Sequence, residues 1–172
     1  HIGGAVPSGP ATWAPPTATD ANGRPYDLAS PWIRLAARLL DGVVVGLPAA
    51  LLVTLLIGFP VELNEDSTEV IYNWPAVIAV AAITGLYETL LVGLRGQTLG
   101  KMACGIKVAM RSDRAQPGYG PAFLRWLGQG PLGFIPYVGS LVGLASIVLI
   151  FADSQRQMIH DKIARTVVVR AS

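Results

Sequence analysis

Two long apolar runs dominate the order of hydrophobic and polar positions. The first, residues 39–59, extends 21 residues with Asp41 as its one charge. At ~1.5 Å per residue a helix of that length spans the ~30 Å hydrocarbon core of a bilayer. Ser30-Pro31 upstream is a start signal, a capping hydroxyl followed by a proline whose missing N–H is not needed at the first helical position. The predicted helix covers about 31–59, with a kink at Pro48. A cleaved signal peptide fits poorly, because the run starts late and lacks an A-x-A-like end. The second run, 76–94, is interrupted by Glu88 alone and predicts a helix over about 75–94, with Tyr72 and Trp74 as interfacial anchors. The third apolar region, 121–152, contains Gly130-Pro131 and Pro136, which divide it into pieces at about 121–134 and 137–152. The second piece reaches ~24 Å, marginal for a crossing, so one crossing or two both remain open.

Outside these runs, Ile106-Lys107-Val108 and Thr166-Val167-Val168-Val169 are short and β-branched, and predict a small strand pair. The fold class expected is an all-α membrane protein, three to four transmembrane or re-entrant helices with a small cytoplasmic strand pair. Residues 1–30 are different again. Pro7, Pro10, Pro15, Pro16 and Pro25 fall in a stretch with no apolar period, which predicts an extended, Pro-rich tail ahead of a membrane domain over 31–172. The opening residue is His1 rather than Met, as expected of a processed start. A chain this small offers little surface to hold such a tail, so a neighbouring protein is its expected contact.

Charge sharpens this picture. The chain is 14% charged and 52% hydrophobic, against about 25% charged for an average soluble domain. No basic face for nucleic acid is present, and the single cysteine, Cys104, excludes a disulfide scaffold or a Cys-based metal site. The loop 60–75 carries Glu62, Glu65, Asp66 and Glu69 without a Lys or Arg. The stretch 95–125 carries Arg95, Lys101, Lys107, Arg111, Arg114 and Arg125 against Asp113. By the positive-inside rule the basic stretch is cytoplasmic, the acidic loop is outside, and the N-terminus is cytoplasmic.

The candidate chemistry lies in charges that interrupt apolar helices. Arg34, Arg38 and Asp41 are spaced by four and three residues and share one helical face. Glu88 lies at a similar expected depth on the returning helix. Intramembrane carboxylates cost ~2.5–3.5 kcal/mol at a helix centre and need a partner. Two readings follow: an ionic clasp in which the arginines neutralise the carboxylates, or an ion path lined by Asp41 and Glu88. The segment Gly96-Gln97-Thr98-Leu99-Gly100-Lys101 fails the phosphate-loop spacing and reads as a tight glycine-rich exit from a helix. His160-Asp161-Lys162 lacks a second histidine for a metal site, apart from His1, and no G-x-S-x-G elbow exists. Neither an enzyme nor a cofactor is expected.

Taken together, these segments resemble the RDD family of bacterial membrane proteins. The resemblance rests on Trp32-Ile33-Arg34-Leu35 through Ala37-Arg38-Leu39-Leu40-Asp41, on Gly96-Gln97-Thr98-Leu99-Gly100-Lys101 to Gly105-Ile106-Lys107-Val108, and on Arg156-Gln157 with His160-Asp161-Lys162 and Thr166-Val167-Val168-Val169. It covers about 31–170 in the right order. It implies that Arg34, Asp41 and Asp161 are the arginine and two aspartates that name the family, with Arg38 an alternative for the arginine. Pro-rich tails look common among actinobacterial members. The resemblance implies a multi-pass protein of the bacterial plasma membrane and two functional expectations. One is a non-catalytic accessory subunit of a larger membrane complex, with an actinobacterial respiratory supercomplex as the host and residues 1–30 as a contact. The other is an oligomeric cation or proton transporter using the intramembrane carboxylates.

Overall fold

A computed structural model describes residues 17–19, 23, 25–63, 70–129 and 156–171, with scattered positions between 141 and 152. The first apolar segment is one helical rod over Pro31–Leu56 in three parts: α1 (Pro31–Asp41), a π-helical turn (Gly42–Gly46) and α2 (Leu47–Leu56). The Ser30 side chain accepts the Ile33 N–H at 3.3 Å and caps α1. Pro48 has no N–H for the carbonyl four residues back. The chain widens ahead of it, so that the Leu47 N–H reaches the Gly42 carbonyl. The proline thus acts through a wide turn upstream of itself.

A short antiparallel hairpin, β3 (Val61–Leu63) with β4 (Val70–Tyr72), follows in the acidic loop, which sequence periodicity leaves as a loop. Tyr72 stacks on Trp74 with ring centroids 5.5 Å apart. The second apolar helix, α3 (Trp74–Arg95), is capped by the Asn73 side chain, which accepts the Ala76 N–H at 3.4 Å. It ends at Gly96, whose φ of 69° is left-handed and whose N–H returns to the Val92 carbonyl. A Cβ at Gly96 would lie 2.7 Å from the Val108 carbonyl oxygen, so the position needs glycine for space as well as for φ. The rod Pro31–Leu56 and α3 are both long and apolar enough to cross a membrane. Their outer faces carry exposed leucines, isoleucines and valines such as Leu51, Leu55, Ile78 and Leu86.

The short helix α4 (Leu99–Ala103) leads into β5 (Ile106–Met110). Next comes α5 (Tyr119–Gln129), which lies along α3 where Gly85 and Gly93 leave room for Trp126 and Tyr119. This helix covers 121–129 of the first expected piece, 121–134; its remainder and most of the 137–152 piece fall outside the described residues. A last short helix, α6 (Ile159–Ile163), precedes β6 (Thr166–Arg170). The expected strand pair is present: β5 and β6 are antiparallel, with Val108 opposite Val168.

Both faces of this ribbon are covered, as its period of two requires. Ile106, Val108 and Val168 join Ala29, Ala37, Val92 and Ala122 in one buried cluster. Ala109, Val167 and Val169 join Tyr26 and Leu28 in another. That second cover corrects the expected tail. Residues of the Pro-rich segment form a hairpin, β1 (Thr17–Thr19) with β2 (Pro25–Asp27). From there Leu28 bridges Val169, and the Ala29 N–H donates to the Val168 carbonyl at 3.0 Å. The expected boundary at 30/31 therefore cuts through packed structure, and the chain holds 25–29 on its own sheet. Residues 1–16 lie outside the described residues.

Candidate functional site

The charged side chains collect where α1, α3, α4, α5 and α6 meet the β5–β6 ribbon, in two environments. The first surrounds Asp41, at the end of α1. Its Oδ2 accepts the Thr98 hydroxyl at 2.6 Å. Its Oδ1 accepts the Tyr87 hydroxyl at 2.9 Å and the Gly100 N–H at 2.8 Å. The Tyr87 oxygen in turn accepts the Leu99 N–H at 2.9 Å, and the Thr98 hydroxyl accepts the Lys101 N–H at 3.4 Å. The first-turn amides of α4 are thus satisfied by one carboxylate and two hydroxyls, a cap contributed mostly from other helices. Gly100 makes this possible. A Cβ there would meet the Ala37 carbonyl oxygen and lie 2.9 Å from Asp41 Cγ.

The second environment is ionic. Glu88, 4% exposed, meets Arg38 Nη1 at 3.1 Å, Lys101 Nζ at 3.4 Å, Arg125 Nε at 3.8 Å and the Gln129 amide at 3.2 Å. Asp161, fully buried, is paired with Arg125 Nη1 and lies 3.5 Å from Arg34 Nη1. It also accepts the Met158 N–H at 3.2 Å, capping its own helix α6. Arg34 is further held by the carbonyls of Arg156 at 2.6 Å and Val168 at 3.1 Å. Arg125 bridges the two carboxylates, one on each side.

Two groups outside the apolar helices respond to this setting. Burial holds the His160 imidazole well below its usual pKa, and the Arg125 guanidinium adds to the effect, so the ring is neutral at pH 7. Burial also lowers the Lys101 ammonium, against the opposing pull of Glu88. Among the described residues no three His, Cys, Asp or Glu side chains converge as metal ligands.

The five residues singled out from sequence therefore sort differently from their spacing. Arg34 meets Asp161 and Arg38 meets Glu88, across 127 and 50 positions of chain. Among the described residues no cation pairs with Asp41, although Arg34 and Arg38 share its helix. Sequence reasoning missed Tyr87 and Thr98 as partners of Asp41, and Arg125 as the bridge between Glu88 and Asp161. Arg125 carried the clearest signal, a lone cation inside an apolar segment. Lys101 was visible as a cation of the basic stretch 95–125 and as part of a failed phosphate loop, but not as a partner of Glu88.

The family model described as RDD family matches residues 28–165. That span begins at Leu28, inside the segment packed on β6. The chain is 31% identical over 148 residues to the uncharacterized protein YckC of Bacillus subtilis, covering 86% of this chain and 87% of that one. It is 28% identical over 152 residues to uncharacterized protein YxaI of the same organism, covering 80% of this chain and 94% of that one. No solved structure matches.

Proposed function

We propose that this chain, which belongs to the RDD family, is a non-catalytic integral subunit of a larger assembly in the bacterial plasma membrane. In this reading the rod Pro31–Leu56 and α3 span the bilayer and the last apolar region adds one or two further crossings. The N-terminus and the β5–β6 ribbon face the cytoplasm, in keeping with the basic stretch 95–125 and the acidic loop 60–75.

One observation carries the reading: the buried carboxylates are committed to internal partners. Asp41 accepts three neutral donors, and Glu88 and Asp161 each meet more than one cation. A transport carboxylate exchanges its partners for an ion and needs a wet side from which to do so. Here the charges fasten helices to one another and to the ribbon. The lipid-facing leucines leave the outer surface free for bilayer or neighbouring helices.

Mild detergent extraction followed by native gels tests the proposal. Co-migration with a larger complex is expected, and haem absorbance in that band would identify a respiratory supercomplex as the host. Migration only as a free monomer or homo-oligomer counts against it. Ion flux in reconstituted vesicles that Asp41→Asn abolishes would instead establish the oligomeric transporter.

A further inference from the structure

A cavity of about 630 Å³ lies against the face of the β5–β6 ribbon that carries Val169 and Ala109. Strand alternation puts Lys107 on the same face, opposite Val169. The other face of the ribbon packs on Ala37 of α1, Val92 of α3 and Ala122 of α5. The cavity is therefore on the side of the sheet turned away from the apolar helices. Its volume falls within the range of about 300–1,000 Å³ typical of small-molecule sites.

Three segments wall it. Tyr26 and Asp27 come from β2, Lys107, Val169 and Arg170 from the ribbon, and Asp113 and Arg114 from the turn after β5. That turn folds back on its strand. The Arg114 N–H donates to the Met110 carbonyl at 3.0 Å, and the Met110 N–H to the Ala115 carbonyl at 2.8 Å. Arg114 holds a left-handed φ of 60°, a region that favours glycine. Its guanidinium lies 5.7 Å from the centroid of the Tyr26 ring, which attracts the cation and keeps it at the cavity wall. Backbone strain of this kind collects at ligand sites.

The charges around the cavity are unequal, three cations to two carboxylates. Asp113 is committed to its own turn, where Oδ1 accepts the Ser112 hydroxyl at 3.2 Å and the Ala115 N–H at 3.0 Å. Among the described residues no carboxylate pairs with Lys107 or Arg170. The cavity thus offers cations to an oxyanion, and Asp27 as an acceptor for a donor. A phosphate monoester carries close to two negative charges, which serves several cations at once where a carboxylate brings one. Sugar hydroxyls are donors of the kind that an acidic side chain takes.

We propose that this cavity binds a water-soluble sugar phosphate, with the phosphate on Lys107, Arg114 and Arg170 and the sugar hydroxyls on Asp27. The ligand arrives from the aqueous phase, because the apolar helices occupy the opposite face of the ribbon. Binding does not depend on membership of a larger complex, so the native-gel result and the binding result can fail separately.

Isothermal titration of the full chain in a neutral maltoside detergent, at constant ionic strength, tests the site. The probes are ribose 5-phosphate and AMP, with inorganic phosphate and ribose as controls. At least one sugar phosphate is expected to bind about 10-fold more tightly than inorganic phosphate, with ribose silent. Lys107→Gln combined with Arg170→Gln is expected to weaken that binding at least ~10-fold, with thermal unfolding unchanged. Should the double variant not fold, Arg170→Gln alone carries the comparison, since Arg170 is exposed. Asp27→Ala is expected to bring the sugar phosphate down to the affinity of inorganic phosphate and to leave the latter unchanged. No binding of either sugar phosphate, equal binding of ribose, or undiminished binding by the arginine and lysine variants overturns the site.

Discussion

Asp41 and Asp161 are both buried aspartates at helix ends, and the fold satisfies them by opposite means. Asp41 is met by two hydroxyls and a backbone amide. Asp161 is met by two guanidinium groups and an amide. The difference is one of range. Dipolar donors act over a hydrogen bond, so the Asp41 cap demands that α1, α3 and the start of α4 touch. Ion pairs in a low-dielectric interior act over several ångströms, so Asp161 tolerates looser geometry but leaves costly charges behind if it is lost. One carboxylate sets distance between elements, and the other sets charge balance.

The largest expected effect comes from breaking the charged side. Asp161→Ala strands Arg34 and Arg125 in the interior and is expected to cost about 3–5 kcal/mol, read as thermal unfolding in detergent. Adding Arg125→Met should recover part of that loss, and strictly additive losses would remove the pair from the account.

Gly100→Ala attacks the other side through distance alone. The added methyl meets the Ala37 carbonyl and Asp41, and a loss of about 2 kcal/mol is expected. A neutral outcome in the same unfolding assay would mean that α4 does not sit as close to α1 as described.

A smaller loss, about 1–2 kcal/mol, is expected for Asp41→Asn, which keeps one acceptor oxygen and gives up the charge at the α4 N-terminus. The comparison turns on order: Asp41→Asn costing more than Asp161→Ala would reverse it.

The smallest effect is a slope against pH. The folded His160 is held well below its unfolded pKa of about 6.5. Below that pH the unfolded chain binds a proton that the folded chain refuses, so stability falls as pH drops, by at most about 1.4 kcal/mol per unit. His160→Gln is expected to flatten this slope between about pH 6.5 and 5, and an unchanged slope would assign it to other groups.

Much of the scaffold is legible in the residues themselves. Ser30-Pro31 marks a helix start, residues 76–94 mark a helix by their lack of charge, and the β-branched runs at 106–108 and 166–169 mark strands. These signals are local, because each depends on a residue and its near neighbours. Partner choice is not local. Helical spacing says that Arg34, Arg38 and Asp41 share a face, but not which helix lies against which part of it. The Asp41 cap is built from residues 46 to 59 positions away, and nothing in its own turn announces them. The hairpin ahead of α1 was hidden for a different reason. Its prolines read as extended chain, and Pro25 at the first position of β2 is where a strand tolerates one.

The bridge between Leu28 and Val169 has a consequence for the order of assembly. The segment that covers the ribbon is made early, and the strand it covers is made last. During synthesis, Tyr26 and Leu28 have no finished sheet to lie on until residue 170 has emerged. The helices can form one by one as they appear, but the layer built on the β5–β6 ribbon closes in a single late event that joins both ends of the matched region. Arg34 and Asp161 are separated in the same way, so until that closure the arginine waits without its counter-ion.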